Sequence, residues 1–412
     1  RAIDSFYDYP RVQGLAEMMN AYGVIHNDAE VVSKIVASQA HHKKIDGHAP
    51  GLQGKDLDTY VAAGVYSDHE CATMEDALAK LQRGQFIMIR EGTAARNLEA
   101  LVPLLCDKYV ERCMFCTDDK HPNDLLEKGH IDYIVKKAIS LGADPITAIK
   151  AACHNAARYF LLNNRGAIAP GYLADFVIID DFEHFNIEKV YKRGVLMVDH
   201  GVVADFPVPE IDPYLVNRAH DTFHVAPLTA ADFTDSRPHA VIGMVNGEIT
   251  TTDGGYTDRI DVDYDILKIA VIERHKNTHH IGLGYIKGYG LKHGAVATSI
   301  SHDSHNIIVV GTNDEDMAFA ANQVVALNGG IVVAQDGAVT GEVPLAVAGI
   351  MSDEPLVEVN RKLEEAKEKA FTAGVNRDID PFMTLSFMAL PVIPTLRVTT
   401  RGVFDVTTQR YI

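Results

Sequence analysis

Between about residues 20 and 165, short apolar runs that stop on polar residues alternate with amphipathic helical stretches. This alternation constrains the fold more than any other feature of the chain. "AEVVSKIVASQAHH" reads as a helix, "KIDGHAPG" as a short strand and loop, and "KDLDTYVAAG" as a helix closed by Gly64. "VYSDHE" is a strand end. "TMEDALAKLQRG" is a helix opened by Thr73, with Asp76 three residues on, close to a capping box. "QFIMIREG" and "RCMFCTDD" are further strands. Polar residues terminate these strands at His48, His69, Arg90 and Asp118, at gaps of 21, 21 and 28 residues, about one βα unit each. Such alternation means parallel strands with helical crossovers. Polar residues at every strand end fit a (β/α)8 barrel, whose chemistry sits at the C-terminal ends of its strands. A doubly wound sheet is the alternative, and it would gather them at one switch point. Four or five strands precede the break near 165 where a barrel needs eight, so the chain is expected to carry the second half of one.

The texture changes near residue 166. "GAIAPGYLADFVIIDDFEHFNIEKVYKRGVLMVDHG" has short strands, Gly and Pro turns and no helical period. The expected organisation is a half-barrel over 1–165, a small β-module over 166–205, a Pro-bearing connector over 206–235 and a separate α+β domain over 236–412. The fold class is therefore α/β, with two appended β-containing parts. A 47% hydrophobic content supports a sizeable core. The net charge of -18 argues against nucleic acid as a partner, because phosphate binding wants a basic face. The apolar runs fall far short of the ~20 residues that span a bilayer, so no membrane association and a cytoplasmic location are expected. Five cysteines do not make a disulfide framework, and Cys113 and Cys116 read as buried strand residues. The chain starts on Arg1 and shows no signal peptide; a removed upstream segment is expected.

His48, His69 and Asp118 are the side-chain types most used to hold hydrolytic divalent metals, and they come from different strands of one barrel. Glu17 lies 31 residues before His48, about one βα unit earlier, and is a fourth candidate. Each alone has an ordinary explanation: a loop histidine, a helix cap in "TDD", a solvated glutamate. Their joint spacing points to a metal that acidifies a water, with Asp118 taking its proton.

The strings "GLAEMMN", "DGHAPGL", "AAGVYSDHE", "IREGTAARNL", "TDDKHP" and "GHIDYIVKKAISLGADPITAI" resemble the bacterial-type adenine deaminases of the amidohydrolase superfamily. So do "RGAIAPGYLADFVIIDD" and "GYGLKHGAVATSISHDSHNIIVVG", and the likeness covers essentially the whole chain. The resemblance implies a distorted (β/α)8 barrel with a binuclear divalent centre of manganese or iron, zinc being less expected. It implies adenine as a small-molecule substrate, hydrolysed to hypoxanthine and ammonia in purine salvage or catabolism, and a homo-oligomer, a dimer. Residue by residue, Glu17 matches the bridging carboxylate, His48 the strand-five histidine, His69 the strand-six histidine and Asp118 the strand-eight aspartate, with Asp119 in reserve. Asp118 and Glu70 are the expected catalytic residues, Glu70 protonating or orienting the purine. Arg90, Glu91 and Arg96 are expected either to shape the pocket or to form local ion pairs. One departure is large: the family's first strand carries H-x-H, and this chain has no His-x-His. A separate or missing N-terminal segment is expected to complete the barrel. The C-terminal region offers His302, Asp303 and His305 as a weak metal pattern. The Gly-rich "IGLGYIKGYG" reads as a mobile loop, a lid. A ring-opening cyclic amidohydrolase of the dihydroorotase or hydantoinase kind is the rival enzyme, although it usually carries a lysine where Glu17 stands. An inactive barrel kept as a binding or structural module is the rival class.

Overall fold

The computed structural model describes residues 2–93, 95–245 and 249–412. The chain divides into two compact units, the first ending at Val208 and the second beginning at Pro209.

The first unit is built on five strands: β1 (Gly14–Met18), β2 (Lys44–Gly47), β3 (Ser67–Asp68), β4 (Phe86–Arg90) and β5 (Cys113–Cys116). β1 pairs with β2 in parallel, and β3 pairs with β4 and β4 with β5, also in parallel. Tyr66 N–H donates to Ile45 C=O at 2.8 Å, which sets β2 beside β3. Consecutive strands are thus neighbours with helical crossovers between them, the arrangement of a (β/α)8 barrel with five of its eight strands. The helices start where their sequences provide caps. Asp28 accepts from Glu30 N and Val31 N to open Ala29–Ala40, and Thr73 accepts from Asp76 N to open Met74–Gln82. Val31, Ile35 and Ile45 close one core cluster, and Ala77, Ile87, Ile89, Leu98 and Ile134 close another. Gly47 permits the close approach of β2 and β3, since a Cβ there would run into the Ser67 carbonyl oxygen.

Four antiparallel strands follow: β6 (Phe176–Ile179), β7 (Ile187–Lys192), β8 (Val195–Asp199) and β9 (Val202–Val203). This small sheet leaves Val195, Val202 and Val203 at 60%, 73% and 60% exposure, so its apolar residues are not gathered into a core of their own.

The second unit centres on an eight-stranded sheet. Its strands are β10 (His239–Met244), β11 (Thr251–Thr257), β12 (Ile266–Ile272), β13 (Ile281–Lys287), β14 (Ala295–Thr298), β15 (Ile307–Gly311), β16 (Gly330–Gln335) and β17 (Ala338–Pro344). Their order is β11-β10-β13-β12-β15-β14-β16-β17. Side chains alternate between two cores. Leu267, Ile269 and Val271 face one that includes Leu363, Ala366 and Ala370 of the helix Leu356–Thr372. Ala270 and Ile272 face another that includes Met317, Ala320 and Val324 of the helix Asp314–Ala326. A sheet buried on both faces explains its near-continuous apolar strands. Three short strands, β18 (Leu396–Thr399), β19 (Gly402–Asp405) and β20 (Arg410–Tyr411), form a separate antiparallel sheet.

Two expectations change here. The Gly-rich stretch is not a mobile loop: residues 281–287 are β13, an interior strand paired with β10 and β12. Its glycines serve packing, since a Cβ on Gly282 would strike the backbone of Thr399 and Gly402, and one on Gly284 the side chain of Val403. The segment 206–235 is not all connector either. Leu228 and Phe233 are buried in the core of the second unit.

Candidate metal centre

Glu17 sits near the C-terminal end of β1 at a register shift, with φ at 55°. A non-glycine residue in this left-handed conformation is uncommon, and a bulge re-aims the side chain of a strand. His48 follows β2, His69 and Glu70 follow β3, Arg90 ends β4, and Asp118 lies two residues past β5, also with φ at 55°. The parallel strands run the same way, so all six residues arrive at one end of the sheet.

The donor atoms of Glu17, His48 and His69 lie within 4.8 Å of one another. Glu17 Oε1 is 2.7 Å from His69 Nε2 and 3.4 Å from His48 Nδ1. Both nitrogens are buried, and the polar groups that face them are the Glu17 and Glu70 carboxylates. Ionisable groups gathered in a buried place need an explanation. Two imidazoles and a carboxylate converging on one point fit a divalent cation. Burial alone would raise the Glu17 pKa, but the two imidazoles bring it well below the usual carboxylate range. Burial would lower that of His69, and the Glu17 carboxylate beside it reverses the shift and raises it.

Asp118 stands beside this triad, in a second candidate donor group with His69 and Glu70. Arg90 ties the two expected catalytic residues together. Its Nη1 donates to Asp118 Oδ2 at 2.7 Å and also to Glu70 Oε1, and its Nη2 donates to Glu70 Oε2 at 3.1 Å. Glu70 Oε1 lies 3.5 Å from His48 Nδ1 and 3.4 Å from His69 Nε2. Both Glu70 oxygens thus face the one guanidinium. The other basic and acidic candidates are elsewhere: Glu91 pairs with Lys137 at 2.6 Å, and Arg96 is exposed. Asp119 offers its backbone carbonyl to Thr93 N at 2.8 Å.

His302, Asp303 and His305 occupy the turn between β14 and β15, and among the described residues they form no candidate metal group. Cys113 and Cys116 are free thiols in β5, and burial pushes the Cys113 thiol up to about 12.

The sequence reading missed the residues that hold the ligand loops. Tyr60, fully buried in the helix Gly54–Ala62, donates to Met18 C=O at 2.6 Å and accepts from His48 N–H at 3.0 Å. It therefore joins the residue after Glu17 to His48 itself. Asp68, also fully buried, accepts from Ala49 N at 2.7 Å on one oxygen, and from Glu70 N at 3.0 Å and Lys80 Nζ at 2.9 Å on the other. Lys80 donates as well to Ala49 C=O at 2.7 Å and to Asp76 Oδ2 at 3.0 Å. Asp68, Cys71 and Asp76 are grouped closely enough to hold a cation, and the Lys80 ammonium is that cation. A signal existed in the apolar period of "MEDALAKLQ", where Lys80 falls three residues after the buried Ala77.

Comparison with known proteins now fixes the class. Residues 10–197 match the profile described as the amidohydrolase family, which spans the strand ends just described. Residues 243–410 match a second profile, the adenine deaminase C-terminal domain. An adenine deaminase of Desulfatibacillum aliphaticivorans is 46% identical over 97% of this chain and 71% of its own length. Another, from Nitratidesulfovibrio vulgaris strain DP4, is 44% identical over 99% of this chain and 72% of its own. The chain belongs to the adenine deaminase family, and the relatives extend beyond the part it aligns with. Among solved structures, a beta-aspartyl dipeptidase from Fervidobacterium islandicum AW-1 aligns with a TM-score of 0.41 and 17% identity, over 50% of this chain and 62% of that one.

Proposed function

We propose that this site carries out hydrolytic deamination of adenine to hypoxanthine and ammonia. The observation that carries the reading is the convergence of the buried His48 Nδ1 and His69 Nε2 on the Glu17 carboxylate, in a chain of the adenine deaminase family. Glu17, His48 and His69 would hold one divalent ion. Glu17 and Asp118 would contribute to a second, whose remaining ligands in the family form an H-x-H that this sequence does not contain. Manganese or iron is proposed for the centre. When bound, it supplies a water acidified enough to attack at neutral pH.

The chain's own residues supply the rest. Adenine must gain an oxygen at the carbon bearing its exocyclic amine, and that C–N bond must break with a proton delivered to the departing nitrogen. Asp118 is next to the triad and half open to solvent, placed to accept the proton of the attacking water and pass it to the amine. Arg90 holds the Asp118 carboxylate in that position. Glu70, fixed by the same guanidinium, orients the purine by accepting one of its N–H groups. Among the described residues no helix is long and apolar enough to cross a membrane, and the -18 charge accords with a proposed cytoplasmic role in purine salvage. Exposed Val202, Phe206 and Val208 support a proposed homo-oligomer, checked by light scattering.

Asp118→Asn, made in the protein together with the segment that supplies the H-x-H ligands, tests the assignment. Turnover, read as ammonia release from adenine, is expected to fall to background while bound metal, read by elemental analysis, is largely kept. Ammonia release at the parent rate would refute it.

A further inference from the structure

We propose that Lys80, acting through Asp68, is a positioning residue that sets the affinity of the metal centre by locking the His48 and His69 loops in register. The inference rests on the reading of Glu17, His48 and His69 as metal ligands.

Stability alone does not explain a lysine at this position. Lys80 and Asp68 are both fully buried. Taking an ammonium and a carboxylate out of water is costly, and replacing a buried ion pair by well-packed apolar residues is often neutral or stabilising. A methionine would fill similar room on the buried face of the helix Met74–Gln82.

What an apolar side chain could not do is grip two loops at once. All three ammonium donors have acceptors: Ala49 C=O, Asp68 Oδ2 and Asp76 Oδ2. Asp68 in turn takes Ala49 N–H and Glu70 N–H. The peptide groups of Ala49 are therefore held from both sides, its N–H by the aspartate and its carbonyl by the lysine. Ala49 directly follows His48, while Asp68 directly precedes His69 and Glu70 directly follows it. One buried ion pair thus fixes the backbone beside two ligands that come from different strands. The Nδ1 and Nε2 atoms of those ligands face the Glu17 and Glu70 side chains rather than any backbone group, so the aim of the rings follows the backbone that carries them. Groups behind metal ligands commonly change affinity 10–100-fold when removed.

The test is Lys80→Met in the full chain, with manganese(II) as the probe and competition against a chelator as the readout. Manganese affinity is expected to fall about tenfold or more, with the far-ultraviolet circular dichroism unchanged. Should K80M fail to fold because Asp68 is left charged and buried, the neutral pair K80M/D68N carries the same expectation. Asp76→Asn is the control, since Asp76 bonds Lys80 but neither ligand loop; it is expected to lower thermal stability with affinity changed less than about threefold. Parent-like manganese affinity in K80M or K80M/D68N overturns the proposal, as does an equal loss in D76N, which would show that affinity merely follows stability. A parent chain that binds no manganese instead refutes the metal-centre reading beneath it.

Discussion

Tyr60→Phe isolates the other clasp of the site with almost no change in shape. The substitution deletes one oxygen from a ring that is fully buried, so it opens little cavity and alters little apolar area. It removes the 2.6 Å donation to Met18 C=O, the 3.0 Å acceptance from His48 N–H and a long 3.5 Å approach to His48 C=O. Each bond contributes about 0.5–1.5 kcal/mol, and a buried group left without a partner costs about 1–3 kcal/mol. The Met18 carbonyl has a second lone pair for other partners, whereas the His48 N–H has only one proton to place. The expected loss is therefore about 2–4 kcal/mol, concentrated in the first unit. For a unit of this size that corresponds to a fall of about 4–16 °C in its Tm. Differential scanning calorimetry of the full chain reads it, with the second unit's transition as internal reference. The same variant should bind manganese more weakly, because Met18 and His48 flank the contact between Glu17 and His69. A first-unit shift equivalent to less than about 0.5 kcal/mol, the range of ordinary surface substitutions, would refute the reasoning, since it would mean that water satisfies both groups without cost.

Glu17→Gln keeps the side chain's size but removes the charge between two imidazoles, and bound metal measured by elemental analysis should fall to near background. Gly92→Ala would drive a Cβ into the carbonyl oxygens of Thr117 and Asp119, next to Asp118. It should cost about 1–3 kcal/mol in denaturant unfolding and lower kcat through misplacement of Asp118. Burial would lower the Lys80 pKa, but the Asp68 charge raises it from 10.5 to about 12. A pKa raised on folding favours the folded state wherever the ammonium is charged in it. The contribution is whole below pH 10.5 and disappears as pH climbs through about 12, so alkaline unfolding of the first unit should begin in that window and flatten in K80M/D68N.

The half-barrel was legible because its signal is periodic. Each βα unit repeats a buried strand, a polar strand end and an amphipathic helix, and the period survives even where β3 is only two residues long. Glu17, His48, His69 and Asp118 were legible for the same reason: parallel strands bring residues at equivalent strand ends to one place, so spacing along the chain predicts proximity. The clasps were harder to read, because the apolar period that places Lys80 on the buried face of its helix does not say what it reaches. Tyr60 and Lys80 lie inside helices with an ordinary apolar pattern, and they reach partners 42 and 31 residues away. The Gly-rich stretch failed for the converse reason. Glycine density is the mark of a loop, but it is also the mark of a strand approached closely by another backbone, and β13 lies under the turn joining β18 to β19.

The two kinds of residue divide the chemistry of the site. Ligands are chosen by what they donate, so their identities are readable one at a time. The residues that aim them are chosen by which backbone groups they reach, and only the assembled fold shows that. Asp68 illustrates the division within the stretch "SDHE". His69 faces Glu17 and Glu70 faces Arg90, while Asp68, the last residue of β3, turns to Lys80 and Ala49. The strand ends at Asp68 and the chain bends at His69, so consecutive side chains there reach different partners. The residue before the histidine is thereby free to anchor the same backbone from behind.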